Sequence, residues 1–76
     1  MTAFFLENDT TTWTFKIHPR RQFPEFLGNG DDSLTQVDVT SILHTGELAM
    51  QDEMSIPKAR KLWSNLVNLH NAKRVR

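Results

Sequence analysis

The chain contains no cysteine. Disulfide staples, thiolate metal sites and cysteine nucleophiles are therefore excluded, and the composition suits a reducing compartment. No stretch approaches the ~20 consecutive apolar residues that a helix needs to cross a bilayer. The opening Met1-Thr2-Ala3-Phe4-Phe5-Leu6-Glu7 has no basic start and too short an apolar run for a signal peptide. A soluble cytoplasmic protein with no membrane partner is the expectation.

Catalytic motifs are missing as well. There is no HExxH, glycine-rich phosphate loop, P-loop or GxSxG. The three histidines, His18, His44 and His70, lie far apart, and none has metal-ligand spacing. Gly28-Asn29-Gly30 is too short to bind a nucleotide. Asp31-Asp32 and Asp52-Glu53 are neighbours in sequence and so do not share a face of a helix or strand, which argues against a catalytic dyad. The reading is of a non-enzymatic protein with no catalytic residue, no metal site and no cofactor.

One absence is positional. All nine acids lie in residues 1 to 54 with only three bases, a balance of −6, whereas residues 55 to 76 hold six bases and no acid. The net charge of zero thus conceals two halves of opposite sign.

What is present reads as one domain over residues 1–76, since a chain this short has no room for a second core. Phe4 to Leu6 and Thr11 to Ile17 predict a β-hairpin turning at Glu7-Asn8-Asp9-Thr10, where Asn and Asp tolerate left-handed backbone. Trp13, Phe15 and Ile17 alternate with Thr12, Thr14 and Lys16, a period-two strand pattern. Pro19 ends that strand, and Gln22 to Ser33 predicts a long loop pinned by Phe23, Phe26 and Leu27. Leu34 to Leu43 reads as a third strand with Val37 and Val39 on its inner face. His44 to Glu47 turns the chain, and Leu48 to Met50 is a candidate short fourth strand.

The last element is a basic amphipathic helix within 55–72, with Ser55 at its N-cap and Pro57 in its first turn. Ala59, Leu62, Trp63, Leu66 and Leu69 form its apolar stripe. Asp52 and Glu53 before it, and Lys73, Arg74 and Arg76 after it, have the signs its macrodipole prefers. His70, near its end, is assigned the same dipole interaction. Residues 73–76 then form a basic tail. The expected fold is α+β: a small antiparallel sheet of three or four strands in a β-rich acidic part (1–50), with the C-terminal helix packed on one face. Trp13 and Trp63 are assigned to core packing rather than ligand stacking.

The run Met54-Ser55-Ile56-Pro57-Lys58-Ala59-Arg60-Lys61-Leu62-Trp63-Ser64-Asn65-Leu66 has the form Met-x-x-x-x-Ala-x-x-Leu-Trp-x-x-Leu. It resembles the C-terminal helix of a family of very short cyanobacterial proteins known only as a domain of unknown function. Trp13 to His18 and Ile42 to Leu48 carry a weaker likeness. That resemblance implies a cyanobacterial or cyanophage cytoplasmic setting, but no activity and no site residues.

On function, the basic residues are the candidates. Lys58, Arg60, Lys61, Lys73 and Arg74, with Arg20 and Arg21, form the expected partner-binding set. The first reading is a regulator or accessory subunit that docks on a larger protein. The alternatives are a nucleic-acid-binding module using the basic helix and tail, and a small structural homodimer. The acidic half opposes a phosphate backbone unless the two signs are segregated in space.

Overall fold

The computed structural model describes residues 2–18 and 36–75. Strands β1 (Thr2–Glu7), β2 (Thr11–His18), β3 (Gln36–Leu43) and β4 (Leu48–Ser55) are followed by helix α1 (Ile56–Leu69) and a last strand, β5 (Lys73–Val75). They form one sheet in the order β4-β3-β2-β1-β5, with every neighbouring pair antiparallel. The α+β class is as expected, with five strands rather than three or four. The expected loop over Gln22 to Ser33 lies outside the described residues.

Alternation explains the central strands. Phe4 and Leu6 of β1, Phe15 and Ile17 of β2, and Val37 and Val39 of β3 point to one face and are buried. The register stacks them in rows across the sheet: Phe4, Phe15 and Val39 in one, Ile17, Val37 and Met54 in another. Against this face α1 lays Ile56, Ala59, Trp63 and Leu66, and Ala72 closes one end of the core. Trp63 meets Phe15 edge to face, with ring centroids 5.0 Å apart and planes at 69°. Trp13 and Leu62, expected inside, are only partly buried and pack on the core's border.

Two strands differ from the sequence reading. β4 runs eight residues rather than three, although Gln51, Asp52 and Glu53 are poor strand formers. Its ladder with β3 supplies what its propensity does not. Ser41 pairs with Met50 and Ile42 with Leu48, so Ala49 is the extra residue of a bulge. β5 replaces most of the expected basic tail. Its three side chains are exposed, so no hydrophobic pattern announces it; the open edge of β1 recruits it through the pairs Phe5–Val75, Leu6–Arg74 and Glu7–Lys73.

The helix starts where expected, but Ser55 makes no side-chain capping bond. It ends at Leu69 because Asn71 adopts a left-handed backbone (φ 55°), a conformation asparagine tolerates after a helix. The Leu66 carbonyl then accepts the N–H groups of both His70 (3.2 Å) and Ala72 (3.0 Å), turning Ala72 into the core. His70 is left exposed at the C-cap.

Gly46, in the β3–β4 turn, has φ +100°, and an added Cβ would have no atom within 4 Å. Gly46→Ala should therefore cost only the backbone term, roughly 1–2 kcal/mol, read as a lowered urea midpoint with an unchanged slope. A loss above about 3 kcal/mol would mean that the turn carries contacts beyond its dihedral angles.

Candidate partner-binding surface

The basic residues do not form one strip. Arg20 and Arg21 lie outside the described residues. Lys58, Arg60 and Lys61 lie in the first half of α1, whereas Lys73 and Arg74 lie on β5, at the edge of the sheet opposite β4. Four strand spacings, about 19 Å, separate those two edges. Within β5 the two bases point to opposite faces. Lys73 stands across from Glu7, on the face away from α1, and Arg74 lies on the core side with its guanidinium 5.5 Å from the Phe4 ring centroid. Within α1, 100° per residue puts Lys58 and Arg60 about 160° apart, on opposite flanks.

Lys58 and Lys61 do share the outward face of α1, and both are exposed. Beside them Leu62 is half-buried, and Asn65 and Leu69 are exposed, Leu69 at 74%. Lys58, Leu62, Asn65 and Leu69 fall within about 60° of one another around the helix. Leu62 and Leu69, expected in the core stripe, lie to one side of it because Ile56 belongs to that stripe. With Ile56 included, the buried stripe becomes Ile56, Ala59, Trp63 and Leu66. Its centre rotates away from Leu69, and a second, outward stripe is left.

The electrostatics of this face oppose the helix. The first turn contains no acid and the last turn no base. Asp52 and Glu53 belong to β4 and Lys73 and Arg74 to β5, so the expected dipole complement is displaced beyond the terminal turns, where such effects fade. Within α1 itself the charged residue nearest the N-terminus is Lys58, followed by Arg60 and Lys61.

A second polar cluster sits where the β1–β2 and β3–β4 turns meet. The Asn8 Oδ1 accepts the backbone N–H groups of Thr10 (2.9 Å) and Thr11 (3.0 Å), and its Nδ2 donates to the His70 carbonyl (2.9 Å). His44 donates its backbone N–H to the Thr10 carbonyl (2.8 Å). Its ring places Nδ1 3.2 Å from the Asp9 carbonyl and Nε2 3.1 Å from the Thr12 hydroxyl. A hydroxyl, an imidazole and an orienting carbonyl outline a nucleophile and its base. Here, however, the Glu7 carboxylate lies 3.4 Å from the same hydroxyl and competes for its proton. His44 and Glu7 are also 43% and 50% exposed. The cluster holds three turns together.

Next to it is an open cleft of about 590 Å³ whose lining mixes Glu7 and Asp9 with Lys73 and Arg74. Among the described residues no group of histidines and acids is placed to hold a metal ion, and no helix is long and apolar enough to cross a membrane.

No family model matches the chain, and searches of curated proteins and of solved structures find no similar one.

Proposed function

We propose that this chain is a small non-enzymatic regulator or accessory subunit that docks on a larger protein, with Lys58 and Lys61 as its charged contacts. One observation carries this reading: exposed cations stand at the positive pole of α1 with no acid in that turn. A cation near a helix N-terminus costs roughly 0.3–1 kcal/mol. A local rule broken within the helix, with no acid in its first turn, is a feature that functional positions show. An acidic partner surface would supply the missing complement.

Lys58→Glu tests it with opposite signs. The variant should be more stable than the parent by about 0.3–1 kcal/mol in urea unfolding. In capture from native lysate it should lose the protein that the parent chain retains stoichiometrically. A destabilised variant would mean that the helix answers the acidic half of its own chain, and the docking reading would fail.

The nucleic-acid alternative loses support from the dispersal of the bases over two flanks of α1 and two faces of β5. Lys58→Glu with Lys61→Glu distinguishes it. No DNA or RNA binding is expected at physiological salt. Micromolar gel-shift affinity abolished by that double variant, with a salt slope near −0.9 per phosphate contacted, would replace the protein-partner reading. The cytoplasmic setting and the membership of the cyanobacterial family belong to the same proposal. They are supported by the cysteine-free composition and by the Met54 to Leu66 motif.

A further inference from the structure

We infer that the occupant of the outward face of α1 is an amphipathic helix of the partner, with an apolar seam flanked by carboxylates. This rests on the docking reading above and adds to it the kind of element that is recognised. Lys58, Leu62, Asn65 and Leu69 follow one another at spacings of four, three and four residues. That is the a/d repeat with which one helix packs along another. The seam adjoins the core stripe at Leu62, which packs on the core's border, and runs outward from it through Asn65 to the exposed Leu69, while Ile56, Ala59, Trp63 and Leu66 face the sheet.

A lone exposed leucine needs no explanation. Here Leu69, at 74% exposure, and the half-buried Leu62 stand one heptad apart on a single line. Asn65 lies between them, the place where a polar seam residue fixes register. The seam spans about 16 Å, three turns of helix, which suits a facing helix better than a strand or a nucleic-acid backbone.

Charge favours an acidic occupant. Every charged side chain of α1 is basic: Lys58, Arg60 and Lys61. A second copy in parallel register would set like charge against like, whereas glutamates at the flanking positions of a partner helix would pair with Lys58 and Lys61. Two leucines bury little area compared with a standard interface, so the contact is reversible and of modest affinity.

The test is a titration of the isotope-labelled full chain with synthetic helical peptides of about three heptads. One carries leucine along its seam and glutamate at the flanks, a second has lysine flanks, and a third has serine in place of the seam leucines. The glutamate peptide should bind and perturb Lys58, Lys61, Leu62, Asn65 and Leu69, and the serine peptide should not bind. Leu69→Ala should keep its melting temperature, since Leu69 is exposed, while weakening the glutamate peptide about fivefold to tenfold. Lys58→Glu with Lys61→Glu should reverse the preference toward the lysine peptide.

Several results would overturn the inference: no shifts at millimolar peptide, equal binding of both charge types, or shifts on the sheet face away from α1. A parent chain that sediments as a dimer, dissociated by Leu69→Ala, would assign the seam to a second copy instead. If Lys58→Glu loses its lysate partner while the glutamate peptide fails to bind, the helix inference falls and the docking reading survives. If that variant keeps the partner, it is the docking reading that falls.

Discussion

Trp63→Ala should be the most damaging single substitution, bringing the protein close to unfolding at ordinary temperature. The side chain is 5% exposed and stands edge-on to Phe15, which is fully buried at the centre of the sheet. Removing it costs roughly 3–5 kcal/mol in transfer and cavity terms together. At roughly 0.05–0.15 kcal/mol per residue, the whole domain holds only about 4–11 kcal/mol of stability, so a large share of it would be lost. Trp63→Phe keeps a ring against Phe15 and should cost about half as much. Urea unfolding followed by circular dichroism reads both variants. An unchanged midpoint for the alanine variant would place Trp63 outside the core and contradict the sheet–helix packing.

Asn8→Ala should be the next most damaging change, at roughly 2–3 kcal/mol, even though the residue lies on the surface. Its amide oxygen organises the β1–β2 turn, and its amide nitrogen ties that turn to the end of α1 at the His70 carbonyl. Asn8→Asp separates the two roles. The acceptor bonds survive, the donor bond is lost, and a negative charge is set beside the negative pole of the helix. A cost between those of the parent and the alanine variant is expected. If Asn8→Asp equals the parent, the bond to His70 contributes nothing; if Asn8→Ala does too, the turn is held by its backbone alone.

Much of the sheet was legible because its centre obeys simple alternation. Trp13, Phe15, Ile17, Val37 and Val39 repeat every second residue, and only one face can bury them. The helix was legible for the same reason, with Pro57 at its start. What escaped has physical causes. β4 carries acids where a strand wants apolar side chains, and Asp52 stands on the core side of the sheet, opposite Val39, yet is exposed. Its pairing is imposed by β3. β5 buries none of its side chains, so only the neighbouring edge of β1 defines it. The helix face differs from expectation through one residue, Ile56, which turns the buried stripe enough to leave Leu69 in solvent. The candidate site was legible only as a set of bases; their separation over α1 and β5 is a tertiary fact.

β5 has a consequence of another kind. The strand it covers, Thr-Ala-Phe-Phe-Leu-Glu, has the composition of a segment that stacks readily with copies of itself: aromatic, strand-forming and bearing one charge. Left at the border of the sheet, β1 would offer other chains an unpaired ladder flanked by two phenylalanines. β5 takes up that ladder and puts in its place a border three residues long with Lys73 and Arg74 on it. Because it buries no side chain of its own, β5 opens at a lower free-energy cost than the domain as a whole. Opening of those three residues would expose that ladder, and Lys73 and Arg74 stand where gatekeeper residues oppose fibre growth.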